Sequence, residues 1–135
     1  RMGDPDTEVV MPRITSDIVD LLEGIADSTL GLKTLTVSPQ AAVTVMLTSA
    51  GYPGAYEKGK RISGLSSLGA DIIPFAAGAE TDEEDNTVTS GGRVIALTAM
   101  ADTIVEAASR AKAAAETVTF DGRYYRRDIA DDLQK

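Results

Sequence analysis

The stretch 103–117 restricts the architecture more than any other part of the chain. Thr103 and Glu106 stand at the spacing of a capping box, and Ile104, Ala107, Ala108, Ala111 and Ala115 line one face of the helix it opens. An alanine face projects little beyond its backbone, so only a surface that comes very close can bury it. The spacing predicts a helix over 103–117 laid directly on a β-sheet, with Glu106 and Arg110 as a surface pair one turn apart.

The region 40–98 supplies that sheet. Residues 41–48 read Ala-Ala-Val-Thr-Val-Met-Leu-Thr and are soon followed by Gly51, the pattern of a buried strand. Thr87-Val88-Thr89 and 93–98 are two further strands, joined by Ser90-Gly91-Gly92 as a tight turn in which glycine can supply positive φ. Residues 60–63 and 71–75 are weaker candidates, interrupted by Gly64, Gly69 and Pro74. Glu80, Asp82, Glu83, Glu84 and Asp85 repel one another and read as a solvated loop tip rather than as a divalent-cation site.

On the N-terminal side, Ile18, Leu21, Leu22 and Ile25 fall at i, i+3, i+4 and i+7, with Ser16 placed to cap and Asp17 and Asp20 in the first turn of an amphipathic helix. Residues 27–39 are a connector, and a boundary near Leu35 divides the chain into 1–35 and 36–135. After the alanine helix come Val118-Thr119-Phe120, an Asp121-Gly122 turn, Tyr124-Tyr125 and a short helix over 128–133. The fold class is α+β. Arg1 runs at once into Gly3-Asp4-Pro5, a turn already in progress, so the chain is expected to be part of a longer one.

The 135 residues contain no Cys and no His, which excludes a disulfide frame, a Cys nucleophile, a Ser-His-Asp triad and the usual zinc ligands. Chemistry here must use carboxylate, amine, guanidinium, hydroxyl or backbone groups. Net charge is −8 and aromatics are 4%, which argues against nucleic acid as a partner. No run of ~18 apolar residues and no basic-then-apolar leader is present, so a cytoplasmic protein with no membrane partner is expected.

Four segments carry denser chemistry than packing needs. Arg1 beside Gly3-Asp4-Pro5 can orient a carboxylate or phosphoryl group, or simply form a turn with an ion pair. The glycine-punctuated run 51–61 offers Tyr52, Tyr56, Lys58, Lys60 and Arg61 on a loop that a ligand can approach, or joins two strands. Gly91-Gly92-Arg93 places a cation at a strand start, suited to a phosphate or to a plain hairpin. Asp121-Gly122-Arg123-Tyr124-Tyr125-Arg126-Arg127 reads foremost as a staple that fastens the C-terminus.

Taken in this order the four resemble the phosphoribosylamine-glycine ligases, also called glycinamide ribonucleotide synthetases, which are ATP-grasp enzymes of purine biosynthesis. Arg1-Met2-Gly3-Asp4-Pro5-Asp6 is similar to the family signature Arg-Phe-Gly-Asp-Pro-Glu. Ser49-Ala50-Gly51-Tyr52-Pro53-Gly54-Ala55-Tyr56-Glu57-Lys58-Gly59, the run from Gly91-Gly92-Arg93 to Ala99, and the run from Phe120 to Ile129 resemble later family segments. Met2, Asp6 and Ala76 depart from the usual Phe or Leu, Glu and His. The resemblance covers essentially this whole chain but only the C-terminal third of the family enzyme.

The resemblance implies that 1–35 is the tail of an ATP-grasp lobe and 36–135 a small, single-hybrid-like β-rich C-terminal domain packed with a helix. It implies a ligase that joins glycine to 5-phosphoribosylamine at the expense of ATP, through an acyl phosphate. Arg1 would be the catalytic signature residue, with Asp4 and Pro5 orienting it and touching substrate, and Tyr52, Lys58 and Arg93 on the phosphoribosyl side. Magnesium or manganese and ATP would be bound mainly by lobes upstream of Arg1, so this segment alone is expected to be inactive. Another ATP-grasp carboxylate-amine ligase or carboxylase, and a non-catalytic accessory domain, are the competing readings.

Overall fold

A computed structural model describes residues 2–133. Strand β1 (Ala41–Thr48) and strand β5 (Arg93–Ala101) pair antiparallel from Ala41 opposite Ala101 to Leu47 opposite Ile95, with an irregularity at Thr48 and Arg93. Strand β2 (Ile72–Ala76) pairs with the other edge of β5, giving a three-stranded sheet of order β1-β5-β2. The sheet is central to a mixed α/β unit.

Strand alternation turns Val43, Val45 and Leu47 of β1 to one face, opposite Ala99, Leu97 and Ile95 of β5, and all six are buried. Helix α3 (Ile104–Thr117) covers that face with Ala107, Ala108, Ala111, Ala114 and Ala115, also buried. The alanines bring the helix close enough for Val118 and Phe120 to enter the same core. Thr103 caps α3 by accepting from the Glu106 N–H at 3.2 Å, and Glu106 pairs with Arg110 at 2.6 Å, both as the spacing predicts.

Several local expectations are corrected. The strands at 87–89 and 93–98 do not form a hairpin: β4 (Thr87–Thr89) pairs instead with β3 (Ala79–Thr81) in a separate two-stranded sheet. The acidic run therefore spans a strand end and a hairpin tip. Asp82 Oδ1 accepts from the N–H groups of Glu84 and Asn86 at 2.9 and 2.8 Å, which pulls its carboxyl below the ordinary range, Asn86 contributing most. Gly91 and Gly92 are absent from the positive-φ glycines, Gly51, Gly59, Gly64 and Gly122; their role is close approach. Residues 60–63 make isolated bridges, Arg61 to Val88 and Ser63 to Thr119, rather than a strand. The last helix shrinks to one 3-10 turn, Asp131–Leu133.

The N-terminal part holds α1 (Asp6–Val10) and α2 (Ile18–Ala26). Asp17, not Ser16, caps α2, accepting from the Val19 N–H at 2.8 Å. Ser16 instead bonds the connector at Thr34 and Thr36. The amphipathic pattern is real, yet Val19, Leu22 and Ile25 are exposed, as are Leu30, Leu32, Leu35 and Val37 beyond the helix. Only Gly24 of α2 is buried, beneath Lys33 and Leu30. No helix is long and apolar enough to cross a membrane among the described residues.

Candidate functional site

The motif residues that come together do so at the start of β5. Gly92 is buried because the Tyr52 ring lies against it, and a Cβ there would strike Tyr52 and then Tyr56. Ser49 pins the loop from the other side: its N–H donates to the Gly92 carbonyl at 2.8 Å and its hydroxyl to the Gly91 carbonyl at 2.9 Å. The loop then turns at Gly51, φ +89°, and its Tyr52 and Tyr56 rings meet at 6.4 Å between centroids.

Arg93 emerges between this loop and the N-terminal segment. Its Nε donates to the Tyr52 hydroxyl at 3.0 Å, and its guanidinium lies 5.9 Å from the Tyr52 ring centroid. Its Nη1 donates to the Asp4 carbonyl and lies 3.3 Å from Asp4 Oδ2. These partners raise its pKa, Tyr52 foremost and Asp4 after it. Both ends of the ion pair are partly open to solvent, so the pair is worth only ~0.2–1 kcal/mol. A guanidinium with one phenol and one carboxylate around it, still wet, can receive an anion on its remaining donors or hold two segments in register.

The N-terminal segment reaches this point through a second anchor. Thr7 donates from its N–H and its hydroxyl to the Gly3 carbonyl at 2.9 and 2.7 Å, closing the Gly3-Asp4-Pro5 turn onto α1. On the face of the sheet away from α3, Thr98 Oγ1 donates to the Glu8 carbonyl at 2.8 Å and lies 2.6 Å from Thr44 Oγ1. Two residues of β5, Arg93 and Thr98, thus hold the turn and the helix after it.

Of the residues expected at the site, Asp4, Tyr52 and Arg93 converge. Pro5 follows Asp4 in the turn. Lys58 is exposed on the run beyond Tyr56, and none of the cluster's hydrogen bonds or ion pairs involves it. Arg1 lies outside the described residues. Sequence reasoning missed Glu8, whose carboxyl is raised above the ordinary range chiefly by burial, with Asp4 adding to the rise and Arg93 opposing it. Its spacing of four from Asp4 was the available signal.

The 121–127 segment acts as the staple it resembles. Arg123 Nη1 donates to the carbonyls of Ala115 and Val118 at the end of α3, and Tyr125 donates its hydroxyl to Glu116. The Glu116 carboxyl is thereby pulled down, by Tyr125 first and Arg123 next. Two surface concavities, about 510 and 650 Å³, are lined by residues 123–132 and contain none of the cluster.

With this geometry in place, the relatives are informative. A family model for the phosphoribosylglycinamide synthetase C domain matches residues 42–132, and the chain belongs to that family. A phosphoribosylamine–glycine ligase of Neisseria meningitidis is 40% identical over 131 residues, 97% of this chain and 31% of the relative. One from Halalkalibacterium halodurans is 43% identical over 129 residues, 96% of this chain and 29% of the relative. The crystal structure of phosphoribosylamine–glycine ligase from Thermotoga maritima superposes with a TM-score of 0.70 at 37% identity, over 96% of this chain and 32% of that one. The chain thus spans about a third of the length of the relatives it matches.

Proposed function

We propose that this chain is the C-terminal part of a phosphoribosylamine-glycine ligase, which joins the carboxylate of glycine to the amine of 5-phosphoribosylamine with cleavage of ATP to ADP and phosphate. The observation that carries the reading is the likeness to such ligases over 97% of the chain at 40% identity, with the motif segments inside it. In this reading 1–35 is the end of an ATP-grasp lobe and 36–135 the single-hybrid-like C-terminal domain. The work is cytoplasmic, in purine biosynthesis.

Phosphoryl transfer to the glycine carboxylate gives an acyl phosphate, which the amine then attacks; both steps depend on neutralised charge and fixed positions. Arg1 is assigned to the carboxylate or the phosphoryl group, where a planar two-point donor suits either. Asp4 and Pro5 orient that turn. Arg93, Tyr52 and Lys58 are assigned to the phosphoribosyl side. By the family resemblance, the magnesium or manganese, and ATP with it, are assigned to lobes upstream of Arg1, and no step here is routed through the metal.

The same lobes are assigned as the partner of the exposed Val19, Leu22, Ile25, Leu32 and Leu35, apolar side chains that such a contact would cover. The test is a pair of assays for ADP release dependent on 5-phosphoribosylamine and glycine. The chain joined to its upstream lobes is expected to turn over with glycine in preference to other carboxylates, and the 135 residues alone are not. Turnover by the short chain, or preference of the long one for another carboxylate, would overturn the reading.

A further inference from the structure

The short helix behind the Gly3-Asp4-Pro5 turn runs into a residue that cannot complete it. The Met11 N–H returns to the Thr7 carbonyl, and the next donor in that ladder would serve the Glu8 carbonyl. That position is Pro12, which has no N–H. The Glu8 carbonyl takes a hydrogen bond from the sheet instead: Thr98 Oγ1 donates to it at 2.8 Å. Thr98 is fully buried in mid-strand, between the apolar Leu97 and Ala99. A buried hydroxyl is costly unless it is bonded, so packing alone would favour valine there.

Thr98 lies opposite Thr44 in the β1–β5 register, with 2.6 Å between their hydroxyl oxygens. A hydroxyl has one proton, and Thr98 spends its own on Glu8, so Thr44 is the donor within the pair. Thr44, Thr98 and the Glu8 carbonyl thus form a chain in which each bond polarises the next. Earlier on the same strand, Arg93 donates to the Asp4 carbonyl. Thr7 ties the turn to α1, so a shift of α1 moves both.

We infer that Thr98, with Thr44 behind it, is a positioning residue for ligation: the buried hydroxyl pair sets where α1 lies on the sheet, and hence where the Gly3-Asp4-Pro5 turn stands relative to the substrates. The role in catalysis rests on the ligase reading, whereas the anchoring of α1 does not.

The test uses the chain joined to its upstream lobes. Thr98→Val keeps the shape and removes the donor. Amide exchange followed by mass spectrometry should quicken roughly five-fold over residues 6–11, while α3 exchanges as in the parent. With the turn displaced, kcat should fall about ten- to a hundred-fold and KM for ATP should stay within about two-fold of the parent. Thr98→Ser returns the hydroxyl and should restore both. In a Pro12→Ala background, where residue 12 can donate to Glu8 along the helix, Thr98→Val should cost far less. Thr44→Val, at the half-buried end of the chain, should show the same changes to a smaller degree, and it decides the matter if Thr98→Val does not fold.

Parent-like exchange over 6–11 in Thr98→Val, or in Thr44→Val where the former does not fold, would overturn the proposal. So would a Thr98→Ser enzyme as slow as Thr98→Val, an undiminished penalty in Pro12→Ala, or full kcat with α1 loosened. A parent that does not ligate counts against the ligase reading and leaves exchange to judge the anchor. Unchanged exchange in an active enzyme removes the anchor and leaves the ligase reading standing.

Discussion

The sheet with α3 and the segment 2–37 are both rich in branched apolar side chains, and they use them in opposite ways. Val45 and Leu97 are 0% exposed, whereas Leu22 is 57% and Leu32 85% exposed. Both helices have apolar faces at helical spacing, but α3 finds a sheet beneath its alanines, whereas among the described residues α2 packs chiefly on its own connector. Amphipathic spacing therefore fixes which side of a helix seeks a partner without saying that the partner is nearby. What separates the regions is the availability of a complementary surface.

The largest effect that can test this contrast lies in the buried region. Leu97→Ala empties a fully enclosed site in the middle of β5 and should cost about 2–5 kcal/mol in urea unfolding. Gly92→Ala should rank second, at about 1–3 kcal/mol, because the new methyl must displace the Tyr52 ring. Loss of the Tyr52 to Arg93 contact, read by tyrosine ring NMR shifts, would accompany it. The smallest effect belongs to the exposed face: Leu22→Ser in the 135-residue chain should stay within about 0.5 kcal/mol of the parent. A penalty for Leu22→Ser approaching that for Leu97→Ala would break the comparison, since it would mean that the face is covered in the isolated chain too.

How much of this could be read beforehand follows from which forces are local. The Thr103 cap, the alanine face and the apolar run of β1 all act within a few residues and formed where expected, whereas the Glu106 carboxylate goes to Arg110 rather than back to Thr103 to complete a capping box. The partner of β4 is set by packing, and Ser90-Gly91-Gly92 looked like a hairpin because glycine invites a turn. Those glycines are instead tight because Gly78 and Tyr52 press upon them from distant positions, information absent from the local sequence. β3 lay hidden because Glu80 and Thr81 read as part of an acidic loop.

The site divides in the same manner. Asp4, Tyr52 and Arg93 were identifiable as motif members, but that Arg93 would bind the other two depends on a loop and a turn that meet only in three dimensions. Glu8 was overlooked because a glutamate in a short helix looks solvated until a threonine of β5 fixes the backbone beside it.

The register of the principal sheet bears on how the chain comes together in time. Strand β1 has no early neighbour: it must wait for β5, which ends at Ala101, before its hydrogen bonds and the face beneath α3 exist. Pairings so distant along a chain require a long loop to close before any reward is felt, which slows folding relative to domains built from adjacent hairpins. Until then Val43, Val45 and Leu47 form an apolar strand with both edges bare, and the waiting interval is when this protein is most prone to self-association.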